Sequence, residues 1–213
     1  LRLARRNLTP KVLACFGLGL AVFAGAGGFL AWELSSGGYL TTWRSEQLRA
    51  DYEKRYHGFA RLPQPRIVDV RLDAAIHPER RALHVKGSYR LENRSGAPIR
   101  DLVLYQQRGA QLKANFGQPA ATVTLDRDRG FYHYRLATPL APGARLDVDF
   151  ELDYAPRGLL GLGSDTPVVA NGTFFTNEVM PRIGYQPSVE LSDARDRRRH
   201  GLVARPPLPA RGR

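Results

Sequence analysis

Asp147, Asp149, Glu151 and Asp153 set four carboxylates, groups able to move protons or hold a hard cation, at every second position of one stretch. Residues two apart in an extended strand share a face. The spacing therefore lines the four along the wet side of an amphipathic strand, and it does not point to an acid–base pair or a calcium site. The five histidines, His57, His77, His84, His133 and His200, nowhere form His-x-x-x-His, His-Glu-x-x-His or another close pair suited to zinc. A lone strand histidine such as His84 or His133 reads as an ordinary surface or core residue. There is no Gly-x-Ser-x-Gly elbow and no Walker-type Gly-x-x-x-x-Gly-Lys loop. The single cysteine, Cys15, lies in an apolar run, so no intrachain disulfide, cysteine metal cluster or exposed nucleophilic thiol is expected. Asn171-Gly172-Thr173 matches a glycosylation sequon, a short signal that needs a eukaryotic secretory setting.

The elements that must position any site begin with that apolar run. Val12 to Trp32 contains no charged or strongly polar side chain and is bracketed by Lys11 and Glu33. About 20 such residues at about 1.5 Å each cover a hydrocarbon core, and a helix satisfies its own backbone there. We read residues 12–34 as a transmembrane helix after a basic flank, residues 1–11. A buried core helix fits less well, since such helices seldom run this long without a polar face. A cleaved signal peptide remains open, because Arg2, Arg5, Arg6 and Lys11 precede the run and Ala24-Gly25-Ala26 has the form of a cleavage site. The opening Leu1 in place of Met argues instead for a piece of a longer polypeptide. Gly17, Ala21 and Gly25 recur at four-residue spacing, a small-residue face on which a second helix could pack. Positive charge precedes the span, which places its N-terminal side in the cytoplasm and the remainder outside it.

Residues 35–66 form a linker: a Gly/Ser connector from Ser35 to Leu40, then a helix from Trp43 to about Phe59 with Thr42 as N-cap and Trp43, Leu48, Tyr52, Tyr56 and Phe59 near one face. That helix either lies on the membrane surface or serves as a plain connection. From Ile67 the period becomes two. Val68 to Ile76 and Leu83 to Leu91 form a hairpin, and further strands are expected at Ile99–Gln106, Ala121–Leu125, Phe131–Leu136 and Leu146–Tyr154. The fold class is mainly β: one N-terminal transmembrane helix, a short linker helix, and an antiparallel β-sandwich or saddle over residues 67–191. Residues 192–213 carry charge and proline without periodicity and read as a tail or linker.

The net charge of +12 and pI near 10.4 are compatible with anionic lipid. The basic residues are scattered, the one dense run at Arg195 to His200 has no interleaved aromatics, and nucleic acid is not expected as a partner.

Several segments together carry a resemblance: Leu62-Pro-Gln-Pro-Arg-Ile67, Asp69-Val70, His77-Pro-Glu-Arg-Arg81, Tyr89-Arg-Leu-Glu-Asn-Arg94, Pro142-Gly143, Asp153-Tyr-Ala-Pro-Arg-Gly158, Asn171-Gly-Thr-Phe174, Pro181-Arg-Ile-Gly-Tyr-Gln-Pro187 and Glu190-Leu-Ser-Asp193. In these the chain resembles bacterial multi-pass membrane proteins that join an ABC-2-type permease region to an M1-family (gluzincin) aminopeptidase region. The resemblance runs from the last permease helix through the N-terminal β-saddle domain. It implies the non-catalytic front of a zinc metallo-aminopeptidase in the inner membrane, with the soluble domain extracytoplasmic. The zinc helix, His-Glu-x-x-His, and the Gly-x-Met-Glu-Asn strand would follow Arg213, so this chain itself binds no cofactor. The implied partners are the lipid bilayer, the catalytic peptidase domain or adjacent permease helices, and a peptide substrate. In that family the N-terminal domain lends a polar residue to the pocket for the substrate's free amino terminus, from a segment just before an Arg-containing stretch. That stretch is most similar to Pro181-Arg182-Ile183, which points to Asn177 or Glu178. The family's Gln-x-Glu is not reproduced, and Glu190-Leu-Ser-Asp193 stands where Cys/Phe-Asp-Glu-Pro is usual. The alternative is a stand-alone single-span protein whose β-domain binds a partner without catalysis.

Overall fold

A computed structural model describes residues 10–169, 173 and 176–205. Arg2, Arg5 and Arg6 of the basic flank, Asn171 and Gly172 of the sequon, Phe174, and the tail from Pro206 on lie outside the described residues. The chain divides into two compact units, Leu1–Tyr39 with Pro156–Ser164, and Leu40–Ala155 with Asp165–Arg213.

In the first unit the uninterrupted apolar run forms helix α1 (Pro10–Gly37). Among the described residues it is the one helix long and apolar enough to cross a membrane, and none of its most apolar stretch is buried within the chain. The expected Gly/Ser connector is instead helical as far as Gly37. Gly38, at φ 83°, then closes the helix: its N–H donates to Ser35 O (3.2 Å) and that of Tyr39 to Leu34 O (3.0 Å). This is the pairing of a Schellman cap, which a left-handed glycine makes possible. Residues Pro156–Ser164 belong to the same unit, which also contains Glu33, fully buried near the end of α1.

The second unit opens with helix α2 (Thr42–Tyr56) and a 3-10 turn (His57–Arg61). Its N-cap is Thr41, not Thr42: the Thr41 hydroxyl accepts from Arg44 N–H at 3.3 Å. Eight strands follow among the described residues: β1 (Arg66–His77), β2 (Ala82–Glu92), β3 (Ile99–Tyr105), β4 (Ala110–Phe116), β5 (Ala120–Asp126), β6 (Phe131–Leu140), β7 (Arg145–Tyr154) and β8 (Arg182–Ile183). They pair antiparallel into two four-stranded sheets, ordered β1-β2-β7-β4 and β5-β6-β3-β8. The long helix followed by an antiparallel two-sheet domain is the fold class expected from the periodicities. Strand β4 was not anticipated, because two of its inward positions are Ala110 and Ala114, whose small side chains give little alternating signal. A short helix, α3 (Ala194–Arg199), occupies part of what read as an aperiodic tail. Asp193 caps it, its carboxylate accepting from Arg195 N–H (2.7 Å) and Asp196 N–H (3.1 Å).

Leu83, Val85, Tyr89 and Leu91 of β2, alternate residues Leu146 to Tyr154 of β7, Leu102 and Leu104 of β3, and Tyr132, Tyr134 and Leu136 of β6 fill the space between the sheets. Gly87 sits opposite Phe150, and a Cβ there would overlap both the Phe150 ring and Leu72. Only glycine leaves room for that ring in the middle of the strand. On the far side of the second sheet Val103, Tyr105 and Phe131 pack against Tyr52, Tyr56 and Tyr185. Helix α2 is therefore more than a plain connection, since its Tyr52/Tyr56 face covers a sheet. The same arrangement explains why Leu102 to Tyr105 is buried continuously rather than alternately: both faces of β3 are covered. Strand β1 is an edge strand whose apolar Val70, Leu72 and Ile76 stay 49, 47 and 41% exposed.

Burial pushes the phenols of Tyr89 and Tyr132 up to about 12 and raises those of Tyr105 and Tyr134. For Tyr56 burial, helped by the Asp126 carboxylate that its hydroxyl meets, also gives about 12. These groups are raised above the unfolded value of roughly 10. Their stabilising contribution is complete below that pH and is lost as pH rises toward the folded values. The tyrosines are expected to ionise together with loss of near-UV circular dichroism above about pH 11. A smooth phenolate titration near pH 10 with the fold intact would contradict this packing.

Candidate functional site

The second unit holds a cleft of about 360 Å³ between α2, the β5–β6 turn and the segment around β8. Arg49, Leu48 and Tyr52 of α2, Tyr105 of β3, Asp128 and Arg129 of the turn, and Asp165, Glu178, Arg182 and Ser188 line it. Its guanidinium groups are mostly committed to structure. Arg49 donates to Val189 O (2.8 Å) and Glu190 O (2.7 Å), which ties α2 to the chain after β8. Arg129 bridges Asp51 on α2 (2.8 Å) and Asp126 on β5 (3.1 Å). Arg182 lies over the Tyr105 ring at 4.8 Å, and its Nη1 donates to Ser188 Oγ at 3.3 Å.

Glu178 differs. It sits in a 3-10 turn (Asn177–Val179) started by Thr176, whose hydroxyl accepts the Glu178 N–H at 3.3 Å. Its exposed carboxylate meets no hydrogen-bond or ion-pair partner among the described residues and borders the cleft, leaving an acceptor available to a cationic ligand. Asn177 lines a different groove, of about 720 Å³, with Ile67, Val70, Leu72, Tyr89, Met180 and Ile183. The structure thus places the two candidates on opposite sides of one turn, with Arg182 lining both spaces.

The other groups singled out in the sequence are engaged locally. Three of the four β7 carboxylates lie across from bases: Asp147 meets Arg90 (2.9 Å), Asp153 meets His84 (2.6 Å), and Glu151 lies between Lys86 (3.8 Å) and Lys113 (3.7 Å), whereas Asp149 stands opposite Ser88. Buried His133 meets Asp101 at 2.8 Å. Glu190 is 7% exposed and accepts from Tyr185 (2.6 Å) and Arg205, with His57 at 3.4 Å. Burial pushes its carboxyl up, and these contacts together outweigh burial and hold it below the usual carboxylate value. It is a structural hub directly after Val189, which lines the cleft. Gly17, Ala21 and Gly25 follow one face of α1, and a Cβ at Gly17 or Gly25 would meet nothing within 4 Å.

Sequence reasoning missed the tie that Arg49 makes to the chain after β8 and the presence of Asp165 in the cleft wall. Their signal is tertiary: Arg49 is one of several charges on α2, and Asp165 follows a glycine-rich segment without periodicity. Among the described residues no group of three His, Cys, Asp or Glu side chains is disposed to hold a metal ion.

No family profile matches the chain, and no curated protein matches it. Among solved structures it is similar to an M1 zinc metallopeptidase from Deinococcus radiodurans, at 19% identity over 45% of this chain and 20% of that one, with a TM-score of 0.30. A mutant of that peptidase bound to the substrate Tyr-Ser-Ala, and a two-domain M1 zinc metallopeptidase mutant bound to L-tryptophan, give the same identity and coverage with TM-scores of 0.32. The chain therefore spans about one fifth of the length of the structures it matches.

Proposed function

We propose that this chain is the membrane-anchored, non-catalytic N-terminal β-domain of an M1-like zinc aminopeptidase, joined through α1 to a permease-type membrane region and supplying part of the wall that receives a peptide's amino terminus. The observation that carries the reading is the position of Glu178. It stands on the turn directly before Pro181-Arg182-Ile183, the stretch that bears the family resemblance, and offers an unengaged carboxylate at a cleft. A carboxylate in a partly desolvated cleft suits an ammonium group. The residues of this chain do not fit the zinc ion: the sequence has no His-Glu-x-x-His, and no described cluster could replace it. Hydrolysis would fall to a catalytic domain further along the polypeptide, and the role here is to orient the substrate.

The test is hydrolysis of an amino-acid p-nitroanilide by this chain and by the longest natural polypeptide containing it, each with and without zinc. Activity confined to the longer, zinc-loaded form is expected. In that form Glu178→Gln should raise KM about tenfold or more, as befits loss of one charged hydrogen bond, and leave kcat nearly unchanged. Unchanged KM would remove Glu178 from the site.

A second reading, a single-span protein whose β-domain binds a partner without catalysis, is favoured by the groove beside β1, where Val70 and Leu72 remain about half exposed. Absence of activity in both forms would leave that reading.

A further inference from the structure

Glu33 follows Trp32 at the end of the apolar run, where a carboxylate is costly unless its oxygens are satisfied. It is fully buried, and it accepts the N–H groups of Leu159 (2.9 Å), Leu160 (2.6 Å) and Leu162 (3.4 Å). These donors converge because Gly158, Gly161 and Gly163 adopt positive φ, at 81°, 67° and 73°, which folds successive amides into an anion-binding nest. Gly158 is required twice over, since a Cβ there would stand 2.6 Å from a Glu33 oxygen.

With its amides turned inward to Glu33, the loop presents its side chains outward. Leu159, Leu160 and Leu162 are 74, 57 and 37% exposed. Three clustered leucines on a loop are the reverse of what a water-facing loop carries. Their level follows from α1. The Leu162 carbonyl packs against Gly37, where a Cβ would overlap it, whereas the Leu159 and Leu160 amides reach Glu33. Glu33 and Gly37 are four helical residues, about 6 Å, apart, so the loop lies along the last turn of α1, next to its apolar part. Trp32, the residue before Glu33, is itself exposed and of a type favoured at the membrane–water interface.

We propose that Pro156–Ser164 is a second membrane contact, its leucines entering the interfacial layer of the bilayer that α1 crosses and Glu33 acting as the positioning residue that holds the loop there. The partner is a lipid surface because the helix face that carries Glu33 also carries, three and four residues before it, the exposed apolar side chains of Leu30 and Phe29. The inference rests on reading α1 as a membrane span.

The test uses the full 213-residue chain with Cys15→Ala, reconstituted in phosphatidylcholine/phosphatidylglycerol vesicles. An environment-sensitive fluorophore is attached at Leu160→Cys, at Phe23→Cys in the middle of α1, or at Arg94→Cys in the exposed β2–β3 turn. The Leu160 label is expected to be quenched by lipids spin-labelled near the headgroup and to be about threefold or more less accessible to iodide than the Arg94 label. A Leu160 label that behaves like the Arg94 label while the Phe23 label is lipid-quenched would overturn the loop contact and leave the span standing. Iodide access at Phe23 would overturn both. Gly158→Ala, which displaces Glu33 and keeps the leucines, should raise iodide access at Leu160 about twofold or more. No change in access would overturn the positioning role of Glu33.

Discussion

Replacing Tyr52 with alanine is expected to cost the β-domain about 4 kcal/mol, in the range for removing a large buried aromatic side chain. Tyr52 is completely buried. Its ring stacks on Tyr185 with centroids 4.9 Å apart, and it meets Tyr56, Tyr105 and Phe131 edge-on at 5.7, 5.8 and 6.3 Å. Its hydroxyl accepts the Gln186 N–H at 2.9 Å. Truncation would open a cavity under α2 and detach the chain following β8. For a domain of this size the melting temperature should fall by roughly 10 °C, read by near-UV circular dichroism in detergent. Tyr52→Phe keeps the ring and leaves one N–H unpaired, so about 1 kcal/mol is expected from it. An alanine variant that melts within a degree or two of the parent would mean that α2 does not dock on the sheet through Tyr52.

The neighbouring residue carries the second large effect. Glu53 receives both terminal nitrogens of Arg197, at 2.8 and 2.7 Å, and Arg197, only 4% exposed, also donates to Leu191 O (2.7 Å) and Val203 O (2.8 Å). The Glu53 hydrogen bonds raise the Arg197 pKa above its ordinary value, against the pull of burial. Glu53→Ala strands a buried guanidinium and should cost about 3 kcal/mol, the lower end for breaking such a pair, because it lies just beneath the surface. The urea midpoint should fall with little change in slope. Replacing Glu53 and Arg197 together by Leu and Met should recover much of the loss, since an apolar pair leaves no unpaired charge. If the single and double variants are equally destabilised, the charge pairing is not the origin of the effect.

The elements with strong periodicity were legible: α1 from its unbroken apolar run, and β2 and β7 from strict alternation with one wet face. What escaped depends on contacts between distant segments. The face of α2 carries an apolar row in the sequence, but only the pairing of β3 with β6 creates the Val103/Phe131 surface that receives it. Likewise Arg197 sits in a run of arginines, Arg195 to Arg199 around Asp196, that reads as solvated charge, and Glu53, far away in sequence, decides that one of them is buried. At the cleft the sequence nominated Asn177 and Glu178 together, and the 3-10 turn gives them different surroundings. Two adjacent residues cannot be told apart by pattern when their separation is one of direction.

The charge ladder between β2 and β7 has a consequence for how the domain folds. His84, Lys86, Ser88 and Arg90 stand opposite Asp153, Glu151, Asp149 and Asp147. Exposed pairs of this kind add little stability each. A paired strand can still slide by two residues without turning its apolar side chains to water, so burial alone does not choose among such alignments. Here a slide in one direction sets Arg90 against Arg145, and a slide in the other sets Glu92 against Asp147. Like charges directly opposite are unfavourable. The wet face that offers no catalytic pair thus favours the observed register of β2 on β7 over its two-residue slides.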